Sequence, residues 1–112
     1  MSKKRYAATK KVREFIASQP DEVQAEYVKL VERLERDGHL IEPFGKKLDR
    51  DLIEMRIRRG RQVRVIYVYL ADPWVVGVHA FVKKSQHTPL QELAQARRVQ
   101  RQIEEGHHEN DE

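Results

Sequence analysis

Between Leu52 and Val82 the apolar residues of this chain recur at every second position, in three runs with only a few residues between them. In the first run Ile53, Met55 and Ile57 alternate with Glu54, Arg56 and Arg58. In the second, Val63, Val65, Tyr67 and Tyr69 alternate with Arg64, Ile66 and Val68, and the third, Trp74 to Val82, is apolar on both sides. A period of two sends alternate side chains to opposite faces of a strand. A strand apolar on both faces belongs inside a sheet. Arg59-Gly60 and Ala71-Asp72-Pro73 have the composition of turns. Connections this short join antiparallel neighbours, because a parallel crossover needs about a dozen residues or more. The expectation is an antiparallel meander with Trp74–Val82 as its central strand.

Helical spacing flanks the meander on both sides. Tyr6, Val12, Phe15 and Ile16 form a weak stripe over residues 6–18. Ser18-Gln19-Pro20-Asp21 then breaks the chain and starts a second helix, since Pro suits a first turn and acids favour a helix N-terminus. Val23, Tyr27, Leu30 and Leu34 make one face of that helix, and Gly38 is its stop. Pro43-Phe44-Gly45 precedes an irregular basic segment, Lys46 to Arg50. Beyond the meander, Thr88 is an N-cap candidate, Pro89 fits the first helical position and Gln91 completes a capping box. Leu90, Leu93, Ala94 and Ala96 supply the apolar face of this last helix, and Gly106 ends it. Runs of helix and runs of strand kept apart along the chain make an α+β fold. One domain is expected over residues 1–106, with 107–112 as a polar, mostly acidic, disordered tail.

Composition narrows the chemistry. The 112 residues are 39% hydrophobic, enough for the core of one small domain. Without cysteine there is no disulfide framework, no Cys-based zinc site and no thiol nucleophile. No apolar run approaches the roughly 20 residues of a membrane span. The N-terminal MSKKRYAATKK lacks the apolar stretch of a secretory signal, so a cytoplasmic protein is expected. There is no GxGxxG, no P-loop and no His-Glu-x-x-His, and none of the five histidines has metal-ligand spacing, so neither cofactor nor metal is expected.

The net charge is +4, but its distribution is uneven: residues 43–90 carry ten basic and four acidic residues, whereas 21–42 and 91–112 are net acidic. Residues 1–20 carry six basic residues and one acidic. The excess in 43–90 falls where the strands are expected, and a cationic sheet face attracts phosphate. The alternative is a solvated charged surface without a partner. Arg56 and Arg58 share one face of the first strand, Arg64 lies on the next, and Lys83-Lys84 leave the third just before a helix N-terminus, where free backbone N–H groups favour anions. Converging cations of this kind can hold an RNA phosphate and stabilise the charge that develops when a ribose 2′-OH attacks it. His87, in the polar loop beside that helix start, can exchange protons. Each residue has a plainer reading. Arg64 can pair with Glu54 across the hairpin. Arg58, Arg59 and Arg61 cluster at a turn as solvated charges, and His79 between Val78 and Ala80 reads as a satisfied interior histidine. Tyr67 and Tyr69 read as core, and Lys46 and Lys47 either grip a nucleic-acid backbone or are simply exposed.

Taken in order, Leu52-Ile53-Glu54-Met55-Arg56, Val63-Arg64-Val65-Ile66-Tyr67 and Val78-His79-Ala80-Phe81-Val82-Lys83-Lys84-Ser85-Gln86-His87-Thr88-Pro89 resemble the RelE/HigB toxin superfamily, and within it the phage-derived HigB-like branch. The resemblance covers roughly residues 5 to 100. It implies two N-terminal helices, an antiparallel sheet of three to four strands and a C-terminal helix. It also implies the toxin of a type II toxin–antitoxin system, an endoribonuclease that cuts mRNA on the translating ribosome by metal-independent 2′-OH transesterification. The implied partners are a HigA-like helix-turn-helix antitoxin, the ribosome and mRNA. Carried over to this chain, Arg56, Arg64, Lys84 and His87 are the catalytic candidates, and Lys46, Lys47, Arg58 and Lys83 the RNA-binding ones. Glu54 stands where some members have an acid candidate. Ser85 and His87 replace the usual Thr and Lys, Val63 an aromatic and Ala80 a Gly. A ParE-like gyrase inhibitor of the same fold and a non-catalytic RNA-binding phage remnant are the rival readings. MSKKRYAAT makes a poor edge strand, which leaves the fourth strand open.

Overall fold

The computed structural model describes residues 3–85 and 87–106. The expected tail, 107–112, and Gln86 lie outside the described residues. The order of elements is β1 (Arg5–Ala8), α1 (Lys10–Ala17), α2 (Asp21–Asp37), β2 (Gly45–Asp49), β3 (Leu52–Arg58), β4 (Gln62–Tyr69), β5 (Trp74–Val82) and α3 (Leu90–Glu104). The five strands form one sheet in the order β1-β5-β4-β3-β2.

The meander is present as expected, with β3, β4 and β5 antiparallel to one another. Two further strands correct the count of three to four. β2, expected to be irregular, pairs antiparallel with β3. Its register slips between Lys47 and Asp49, and exposed Lys46 and Lys47 hide any apolar alternation. β1 pairs parallel with β5, so the sheet is mixed rather than antiparallel. Tyr6 lies on this strand and not in a helix. β1 is held from outside its own sequence: the Lys4 N–H donates to the Glu35 carbonyl at 2.9 Å and the Tyr6 N–H to the Glu35 carboxylate at 2.8 Å. With both strands added, β4 becomes the central strand, and it is buried without interruption from Val63 to Val68.

Helix boundaries follow local chemistry. The Thr9 hydroxyl accepts from the Val12 N–H at 3.3 Å, which starts α1 after β1 instead of through it. α2 begins after Pro20 with Asp21 and Glu22 in its first turn, and stops at Gly38, whose φ of 85° is glycine territory. At α3 the cap position is Pro89 and no side chain caps the helix, so Thr88 is not used as expected. Leu90 and Ala94 are exposed, and Leu93, Ala96, Val99 and Ile103 form the face that packs. Among the described residues no helix is long and apolar enough to cross a membrane.

The two faces of the sheet are covered unequally. On one, Val12 and Ile16 of α1 and Val23, Leu30 and Leu34 of α2 pack on Met55, Ile57, Val63, Val65 and Tyr67. Burial of each such side chain is worth roughly 1.5–3 kcal/mol. The expected core set thus lies beneath the helices, with Ile53 half-buried at its border. Tyr69 departs from it: the residue is 38% exposed and its hydroxyl donates to the Gly38 carbonyl at 2.8 Å. On the other face, among the described residues, only α3 packs, over Leu52, Ile66, Val68, Val78 and Phe81. A bulge in β5 serves this packing. Ile66 pairs with His79 but Tyr67 with Gly77, so Val78 and His79 both turn toward α3.

Candidate nucleic-acid site

The part of the α3 face toward the β3–β4 turn is left without a helix, and the cations gather there. Arg56 of β3 lies directly opposite Arg64 of β4, which in turn lies opposite Phe81 of β5. Like charges facing each other across strands repel. Glu54, two residues before Arg56 on the same face, offsets that repulsion. Its carboxylate is fully buried. Oε1 accepts from Arg56 Nε at 3.2 Å and lies 3.6 Å from Arg64 Nε. Oε2 accepts from the Thr88 hydroxyl at 2.9 Å and lies 4.0 Å from Lys83 Nζ.

One carboxylate therefore faces three cations, and the surplus is positive. Arg64 and Lys83 are each 7% exposed at the side chain, and Arg56 is 19% exposed. Arg64 donates to the Val63 carbonyl at 3.2 Å and to Gln62 Oε1 at 3.0 Å, while its buried Nε has no hydrogen-bond partner among the described residues. Loss of solvent pulls the pKa of both Arg64 and Lys83 down, Glu54 opposes the shift, and the neighbouring arginines reinforce it. A phosphate oxygen entering this region would relieve the excess charge.

Two adjoining clefts open there. The larger, about 470 Å³, is lined by Arg56, Arg58, Gln62, Arg64, Lys83, Lys84 and Ser85. The smaller, about 240 Å³, is lined by Lys46, Lys47, Glu54, Arg56, Lys83, His87 and Thr88 among others. Arg56 and Lys83 belong to both, so the structure brings all eight expected residues to one continuous basic surface. Lys46, Lys47, Arg58, Lys84 and His87 are exposed on it. The other turn arginines are occupied elsewhere. Arg59 bonds Glu26 of α2 at 3.2 Å and Arg61 bonds Gln19 at 3.2 Å, which ties the turn to the helical layer. His79 Nε2 lies 2.6 Å from Glu92 of α3 and its ring stacks on Phe81, the satisfied arrangement expected of it.

From sequence, Glu54 reads only as a pairing partner and acid candidate, although its alternation with Arg56 and Arg58 puts it on the basic face. Thr88, Gln62 and Ser85 were not foreseen. The bond of Thr88 spans 34 residues of sequence, and no local pattern announces it. Among the described residues no group of three or more His, Asp and Glu side chains is placed to hold a metal ion.

The family model described as phage-derived protein, Gp49-like (DUF891), matches residues 14–101. The match runs from within α1 to within α3 and takes in every residue of the basic surface, leaving β1 outside. No curated protein matches the chain.

Proposed function

The chain belongs to the phage-derived Gp49-like family, and from that premise we propose that it is the toxin of a type II toxin–antitoxin pair, a RelE/HigB-like endoribonuclease acting on mRNA at the translating ribosome. One observation carries the reading: Arg56, Arg64 and Lys83, from consecutive strands and the loop after them, converge on a single buried carboxylate beside an open cleft. A gyrase inhibitor of the same fold has no need of such a cleft.

In the proposed reaction a ribose 2′-OH attacks the adjacent phosphorus in line and loses its proton to a base. The bond to the 5′ oxygen breaks, that oxygen takes up a proton, and a 2′,3′-cyclic phosphate and a 5′-OH remain. Negative charge grows on the non-bridging oxygens, and preorganised cations stabilise it most where water is scarce. Arg56 and Arg64 offer planar forks of donors, and Lys83 and Lys84 add charge at the cleft wall. Arg58, Lys46 and Lys47 hold flanking phosphates. His87 exchanges protons from the rim of the smaller cleft. Glu54 is a positioning residue: its oxygens are already engaged by Arg56 and Thr88 and serve to aim the cations.

Induced alone in a bacterial host, the protein is expected to stop translation and growth, and co-expression of the helix-turn-helix antitoxin encoded beside it to restore both. Normal growth with abundant folded protein would contradict the reading.

A further inference from the structure

Among the described residues, the α3 face is open at its other end as well. β5 runs from Trp74 to Val82, which puts the start of the strand about 26 Å from the basic cleft at roughly 3.3 Å per residue. A groove of about 320 Å³ lies there, lined by Ala7, Ala8, Leu70, Trp74, Val76 and Ile103 among others. Thr9 is the one polar residue of its lining, and Ala7, Ala8 and Ala71 are too small to fill it. Trp74, the single tryptophan of the chain, is 41% exposed. The Arg5 guanidinium lies over its ring, 5.1 Å from the centroid. Lys3, Arg5 and Lys10, on and beside β1, and Arg101 of α3 are exposed, against Glu104 and Glu105 just past Ile103. Asp72 is taken up by Lys4 at 2.6 Å. Arg5, Ala7 and Ala8 stand outside the segment that the family model matches.

We propose that this groove is a second RNA contact, a platform on which an unpaired base of the messenger strand stacks against Trp74 while Arg5 and the cations around it hold the adjoining phosphates. An open indole beside an arginine suits a base, because every base has a π face and stacking on an aromatic side chain asks for no particular sequence. The surrounding cations select a polyanion over a neutral apolar ligand. With the cleft at one end of β5 and the platform at the other, one strand is held at two points, and linked contacts bind more tightly than either alone. The proposal rests on the toxin reading only in taking the strand to be messenger RNA.

The test uses the full chain and the fluorescence of Trp74, which no second tryptophan obscures. Three probes share a 2′-O-methyl RNA backbone, which has no free 2′-OH to attack and so stays intact: a single-stranded decamer, an abasic decamer of the same charge, and the decamer's duplex. The single strand should quench Trp74, and the other two should leave it near its free value. By anisotropy of a labelled decamer, Trp74→Ala should weaken binding roughly fivefold or more, and Trp74→Phe should keep most of it. Arg5→Ala, at an exposed position, should weaken binding and flatten its salt dependence. Equal quenching by the abasic strand or the duplex, no quenching by the decamer, or an affinity unchanged in Trp74→Ala and Arg5→Ala overturns the proposal. So does an emission shift with protein concentration alone, which would give the groove to a second copy of the chain. The assay reads the binding of a strand that cannot be cut, so its failure leaves mRNA cleavage standing, and a failure of cleavage leaves the platform standing in turn.

Discussion

Glu54 determines whether three cations can share one patch of sheet. Remove the carboxylate and Arg56, Arg64 and Lys83 face one another nearly dry. Breaking a buried charge cluster on one side costs roughly 3–5 kcal/mol, so Glu54→Ala is expected to lose about that much in urea unfolding. A variant as stable as the parent would mean that the carboxylate does not balance the cluster. The cations themselves should act on rate more than on folding. Loss of one preorganised contact costs about 2.7–4 kcal/mol of barrier, or 10²–10³ in rate. Arg64→Ala is expected to suffer most, then Arg56→Ala and Lys84→Ala, with His87→Gln milder because water can replace an exposed imidazole in proton transfer. Single-turnover cleavage on purified ribosomes gives the order, and a rate for Arg64→Ala within a factor of two of the parent would remove it from the site. Period-two alternation made the facing of Arg56 and Arg64 readable from sequence. The bond from Thr88 was not readable, because a capping pattern and a distant carboxylate compete for the same hydroxyl and only the folded chain decides between them.

Two contacts between elements can be tested separately. At Gly77, an added Cβ would run into the Tyr6 hydroxyl, with Tyr6 Cζ at 3.1 Å and Val65 Cγ1 at 3.3 Å behind it. That hydroxyl accepts from Tyr27 at 2.9 Å and so links β1 to α2. Gly77→Ala is expected to cost about 1–3 kcal/mol by overpacking, and adding Tyr6→Phe should recover part of it. Thermal unfolding of the single and double variants checks this, and no recovery would place the strain elsewhere. At the opposite side of the sheet, Arg97 of α3 reaches Asp49 and Asp51 at 2.7 Å each. Its hydrogen bonds hold both carboxyls below the ordinary aspartate range. Depressed carboxyls contribute stability that is full above the unfolded value, about 4, and lost as pH falls through the lower folded values. Arg97→Ala should therefore flatten the acid limb of the stability profile below about pH 4 and leave its slope near neutrality unchanged. An unaltered acid limb would show that the clamp adds nothing. β1 and β2 escaped sequence reading for related reasons. A four-residue strand held by Glu35 and a strand of exposed lysines carry no alternation, whereas β3 to β5 are long enough for burial to set a period.

For the whole molecule, the decisive asymmetry is in coverage. Two helices close one face of the sheet and α3 closes only part of the other, and the basic strand residues fall where cover is missing. On the proposed reading this surface binds by phosphate contacts, whose affinity falls steeply with salt. Ribosome or RNA association should weaken tenfold or more between low and physiological salt, as sedimentation would show, and a salt-independent affinity would argue against a phosphate site. The charge blocks of the sequence located the surface, and the shape that leaves it open came from helix packing that no residue pattern reveals. Primer extension on mRNA from translating ribosomes asks whether this surface cuts mRNA through Arg64. Discrete cleavage stops are expected with the parent protein and none above background with Arg64→Ala at equal expression and fold; equal stops from the two, or none from either, would rule out Arg64-dependent cleavage.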